Sequence, residues 1–101
     1  MLARDIWGKV NKDFETPEEA ALALSVLADF VAQDREFSSY RILRCIVFVA
    51  NGDLNRLEKA IDLAKTDYRD LIVWAEYDEK NERVRDLSNP FQVISPHNHS
   101  L

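Results

Sequence analysis

The chain has 101 residues, 47% of them hydrophobic and 31% charged, with 13 basic against 18 acidic side chains and a formal charge of −5. This length fits a single domain spanning residues 1–101, and the hydrophobic fraction excludes wholesale disorder. The negative balance argues against a general nucleic-acid-binding surface, because that affinity comes mostly from Lys and Arg neutralising phosphates.

At the N-terminus, Leu2, Ile6, Trp7 and Val10 predict a short helix, weakened by Gly8. The segment lacks the apolar run and cleavage site of a signal peptide. Thr16-Pro17-Glu18-Glu19 is a strong helix start: Thr16 can cap, Pro17 suits the first helical position, and Glu19 completes a capping box. The helix that follows carries Ala20, Leu22, Ala23, Leu24, Val26, Leu27, Ala28, Phe30 and Val31. Apolar residues cover most of its circumference, which predicts a central, largely buried helix. Ser25 and Asp29 interrupt this run, and it falls short of the ~20 apolar residues needed to cross a bilayer. No membrane partner is expected.

Ser38-Ser39 offers the next cap, and Asn51-Gly52 closes the segment from Tyr40 to Ala50 with a left-handed ending. Ile46-Val47-Phe48-Val49 would suit a buried strand, but the length of the run favours helix. Arg41 and Arg44 read as exposed decoration on it. Cys45 is the only cysteine, so no intrachain disulfide can form. Its apolar neighbours predict a buried, inert thiol, and a reducing, cytoplasmic location fits.

Asp53 caps the clearest amphipathic helix, with Leu54, Leu57, Ile61, Ala64 and Tyr68 at spacings of three and four. Asp67 marks a further boundary, with Asp70 placed to answer first-turn amides. Leu71 to Tyr77 then reads as a short helix with Leu71, Trp74 and Ala75 on its packed side. As a strand it would instead pair with Val84 across residues 78–82. From Glu82 onward the periodicity stops, and Asn89-Pro90 and Ser95-Pro96 disfavour helix. Phe91, Val93 and Ile94 are placed to clip this end onto the rest, with residues 88–101 an extended, partly frayed tail. The fold class is therefore all-α, a small bundle of four to five helices with an extended C-terminal tail. The alternative is α+β with a short antiparallel sheet built from residues 42–49, 71–77 and 82–87.

The stretch from Arg44 to Leu57, with Ala64 to Tyr77 beyond it, resembles a pattern in small bacterial proteins of about this size. Gly52-Asp53-Leu54 and Asp67-Tyr68-Arg69-Asp70 carry the likeness. It implies a bacterial, cytoplasmic, helical protein and transfers no catalytic or binding residue.

Catalytic machinery is hard to assemble from these residues. His97 and His99 are the only histidines and both lie in the tail, so a nucleophile–histidine arrangement would have to recruit it. Two isolated glycines build neither phosphate-binding loop. The acidic residues Asp67, Asp70, Glu76, Asp78, Glu79 and Glu82 match no cation-loop spacing, and interleaved Lys and Arg offset them. A non-enzyme without cofactor or metal is expected, and no catalytic residue is assigned.

The ten aromatic residues outnumber what one small core encloses. The surplus points to a protein-interaction surface drawn from Trp7, Tyr40, Tyr68, Arg69, Trp74 and Tyr77. The expected function is a non-enzymatic interaction module or homo-oligomer, in its sharper form an acidic inhibitor or immunity-type binder of a basic partner. The alternative is a small molecule or metal held by the acidic face around residues 67–79.

Overall fold

The computed structural model describes residues 3–91. Four helices account for most of them: α1 (Arg4–Asp13), α2 (Pro17–Gln33), α3 (Tyr40–Ala50) and α4 (Leu54–Glu76), with a single 3-10 turn at Arg35–Phe37 between α2 and α3. The all-α expectation holds, and no named strand occurs among the described residues. Val93, Ile94, His97 and His99 lie outside the described residues.

Each predicted cap is made. The Thr16 hydroxyl oxygen accepts the Glu19 backbone N–H at 3.1 Å and donates toward the Glu19 carboxylate at 3.4 Å. The Ser39 hydroxyl oxygen takes the Ile42 N–H, and Asp53 Oδ1 takes those of Asn55 and Arg56. Asn51 stands in the left-handed region at φ 46°, and Gly52 follows at φ 82°. Gly52 packs so closely on the carbonyl of Asp13 that no side chain fits there, which joins the α3–α4 turn to the end of α1.

Asp67 breaks α4, with φ −157° and ψ 86° inside an otherwise helical run, and its Oδ1 accepts the N–H groups of Arg69 and Asp70. Asp67, rather than Asp70, answers the amides. The bend is sharp. The Arg56 guanidinium carbon lies 6.0 Å from the centroid of the Trp74 ring. An unbroken helix would hold positions this far apart at about 27 Å, at 1.5 Å per residue. The two parts, residues 54–66 and 68–76, therefore fold back beside one another, and in this sense the bundle holds five helical segments.

The core is one cluster contributed by all four helices, from Ile6 and Val10 through Leu27, Leu43, Ile46 and Val47 to Leu57, Ile61, Leu71 and Ala75. Its centre is α3 rather than α2. Residues Ile42 to Val47, with Val49 and Ala50, are all buried, whereas α2 buries only Ala20, Ala23, Leu27 and Phe30. The apolar count of α2 misleads because much of it is alanine, whose small side chain adds little to a packing face, and Leu22 points to solvent. Tyr68 and Trp74, placed by periodicity on packed sides, are exposed as well. The break at Asp67 resets the helical phase, so a stripe drawn across it does not continue.

Beyond Glu76 the chain reverses through a turn in which Asp78 accepts the N–H groups of Lys80 and Glu82 on its carboxylate. One antiparallel bridge joins Tyr77 to Arg83, and the Val84 N–H donates to the Glu76 carbonyl at 2.8 Å. The segment then runs without further helix past Phe48 and Arg44 of α3 to Asp5 and Lys9 of α1, sending Leu87 into the core.

Candidate functional site

Among the described residues, one of the two side chains with four hydrogen bonds is one that the sequence grouped with a solvated acidic face. Glu76 is 0% exposed. Arg41 approaches it with two parallel bonds, Nε to Oε2 at 2.8 Å and Nη2 to Oε1 at 2.7 Å. Arg83 Nε adds a third at 3.0 Å, and the Leu87 backbone N–H a fourth at 3.2 Å. Glu76 thus leaves the acidic set of residues 67–82 altogether. Burial by itself raises its carboxyl pKa, but the hydrogen bonds from Arg41, Arg83 and Leu87 win and hold it below the ordinary 4.5.

One turn along α3, Arg44 builds a second pair. Its Nε meets Asp5 Oδ2 at 2.9 Å, and Nη1 reaches the carbonyl oxygens of Leu87 and Ser88. Asp5 in turn accepts the Phe91 backbone N–H at 3.0 Å. Its carboxyl is lifted by burial but lowered further by Arg44 and by Phe91, for a net fall from 3.8. Arg41 is half-buried and Arg44 fully so, which corrects their reading as exposed decoration. The local signal for Arg44 and Glu76 was a lone charge inside an apolar run: Arg44 within Ile42–Val49 and Glu76 within Leu71–Tyr77.

Cys45 is fully buried beside these groups. Burial, with the Glu76 carboxylate nearby, pushes its thiol up to about 12. It is a buried core thiol, as the sequence implied.

The six residues proposed for an interaction surface divide among three places. Trp7 stands exposed on α1 and Tyr40 at the start of α3, where the Arg44 guanidinium carbon sits 5.6 Å from its ring centroid. Tyr68 edges a cleft of about 480 Å³ between the start of α3 and the second part of α4, together with Glu36, Ser39, Arg41, Ile42 and Ile72. Arg69 is exposed and makes no ion pair with a described residue. Trp74 is 44% exposed beside Val73 at 47%, and Tyr77, one turn on, is half-buried. Asp70, Val73 and Trp74 fall at intervals of three and four, so they share the outer face of this part of α4, and Tyr77 follows its end in an extended conformation. The structure puts Trp74 on that face with Tyr77 just past the end of the helix, and leaves Trp7 and Tyr40 on other elements.

Among the described residues, no group of three or more His, Cys, Asp or Glu side chains is arranged to hold a metal ion. No helix among them is long and apolar enough to cross a membrane. No known protein family, curated protein or solved structure matches the chain.

Proposed function

We propose that this is a non-enzymatic interaction module, cytoplasmic and bacterial, that binds another protein or a second copy of itself through the outer face of the second part of α4. The observation that carries the reading is the pairing of two large exposed apolar side chains, Val73 and Trp74, with the Arg56 guanidinium lying over the indole. Tryptophan, tyrosine and arginine are the residues in which interface energy concentrates, and a cation over an indole presents a flat apolar surface with a charged edge. Adjacent exposed apolar groups on one face also cost solvation until a partner covers them.

In its sharper form the module is an inhibitor or immunity-type binder. A formal charge of −5 would then steer a basic partner inward, and association would slow as salt rises. Native mass spectrometry of the protein recovered gently from its host tests the reading. A second chain in fixed ratio, or a homodimer, that is lost on Trp74→Ala supports it. A monomer for both proteins overturns it.

A second reading, small-molecule binding, draws on the cleft edged by Tyr68. Its size falls within the range of ligand pockets, and it combines the apolar Ile42 and Ile72 with the polar Ser39, Glu36 and Arg41. A bound small mass in the same spectra, lost on Tyr68→Ala, favours this reading over the first. The metal version loses Glu76 to its arginines, and no three acidic side chains among the described residues are arranged to hold an ion. It ends if a divalent-cation titration leaves the melting temperature unmoved.

A further inference from the structure

The segment of residues 83–91 is fixed to the bundle in an unusual way. Leu87 enters the core, and the half-buried Phe91 packs against it with the Lys9 ammonium 5.7 Å from its ring centroid. The other attachments are polar and run to three different helices. Glu76 of α4 takes Arg83 and the Leu87 N–H on its carboxylate and the Val84 and Arg85 N–H groups on its carbonyl, bonds that opening must break; Arg44 of α3 donates to the carbonyls of Leu87 and Ser88; Asp5 of α1 takes the Phe91 N–H. Arg85 donates to the carbonyl of Ala75 at 2.6 Å and lies 4.3 Å from the Phe48 ring centroid.

Each of the charged anchors keeps a partner within the bundle when the segment is taken away. Glu76 retains both bonds from Arg41, and Arg44 retains Asp5. Detachment therefore strands no buried charge, the event that otherwise makes breaking an internal ion pair so costly. On the segment's own side, Arg83 keeps Asp86, and Asp86 keeps the Ser88 N–H, so those contacts travel with it. The turn at Asp78–Asn81 is closed by its own hydrogen bonds and supplies a hinge, with Asn81 in the left-handed region at φ 62°.

We propose that residues 83–91 act as a strap that opens as a unit about the Asp78–Asn81 turn while the four helices stay folded. Opening uncovers the face of α3 that carries Arg44 and Phe48 and the carboxylate of Glu76. Segments with little buried apolar surface and exposed attachments are the ones that open below the global unfolding free energy. The strap has the first of these, with apolar burial confined to Leu87 and part of Phe91, and although its attachments are buried or part-buried they converge on few enough groups to let go together.

Amide exchange followed by NMR on the full chain tests this directly. In the wild type, the Leu87 and Phe91 amides should exchange at similar rates, at least tenfold faster than those of Ile46 and Val47. Leu87→Ala should speed the strap amides tenfold or more and leave the α3 amides unchanged. Arg83→Ala, which removes an exposed side chain and no apolar core group, should act in the same direction and guards against a folding defect in the first variant. Strap and α3 amides that exchange at one common rate, or that accelerate together in both variants, would overturn the proposal. So would strap amides with no protection in the wild type, because the closed state would then be absent.

Discussion

Arg41 and Glu76, 35 residues apart, meet in a two-point ion pair that ties the start of α3 to the end of α4. One partner is wholly buried and the other reaches solvent, so the pair is asymmetric. Removing the buried carboxylate takes from Arg41 and the Leu87 amide the acceptor they share and leaves Arg83 with Asp86 alone, whereas removing an arginine leaves Glu76 with other donors. Glu76→Ala should therefore cost about 3 kcal/mol, in the range for breaking a buried pair. Arg83, more exposed and sharing its charge with Asp86, should cost about 1 kcal/mol on truncation. Arg41→Ala should fall between them. Urea denaturation of the three variants gives the order, and an Arg83 effect equal to that of Glu76 would contradict it.

The same carboxylate sets the acid response. Glu76 and Asp5 both titrate below their ordinary values in the folded protein, despite burial, because arginine and backbone donors hold the charged form. A carboxyl whose folded pKa lies below its unfolded one contributes stability above the unfolded value, and loses it as pH falls through the folded one. The melting temperature should thus stay level from neutral pH down to about pH 5 and then drop. Glu76→Gln and Asp5→Asn should each start from a lower melting temperature and show a shallower acid slope. An unchanged slope in both would place the acid sensitivity elsewhere.

The glycines make opposite predictions. Gly8 lies within α1 with nothing within 4 Å of where a Cβ would sit, so Gly8→Ala gains helix propensity of about 0.5–1 kcal/mol. Gly52 has φ 82° and abuts the carbonyl of Asp13, so Gly52→Ala meets both backbone strain and a backbone clash. It should cost about 2 kcal/mol or more, against the ~1 kcal/mol of left-handed conformation alone. Thermal denaturation should shift upward for the first variant and downward for the second.

Element boundaries were legible in the sequence because they are local. Thr16, Ser39, Asn51-Gly52, Asp53 and Asp67 each act on amides or carbonyls within four residues, and all mark ends where expected. The hairpin weighed against a helix at Leu71–Tyr77 survives in part, since the chain does reverse and join Tyr77 to Arg83 once the helix has ended. The buried network was not legible. Arg44 and Asp5 are 39 residues apart, and no spacing rule links them. Charge type alone made Arg41, Arg44 and Glu76 look solvated, and only the bundle's geometry puts opposite charges face to face. The primacy of α3 over α2 was hidden for a related reason: apolar count does not report side-chain volume.

The corner at Asp67 separates a structural role from a recognition role for its neighbours. Asp67 accepts two amides at the start of residues 68–76, the work of a helix cap, while Arg69 is exposed and pairs with no described carboxylate. Asp67→Ala should lower stability by about 1 kcal/mol, the usual cost of losing a cap, and loosen the fold-back that brings Arg56 over Trp74. Arg69→Ala should shift it by less than about 0.5 kcal/mol, as an exposed substitution without partners does. Tryptophan fluorescence gives a second readout, because only Asp67→Ala alters the surroundings of Trp74. A destabilised Arg69→Ala would instead make that arginine part of the corner.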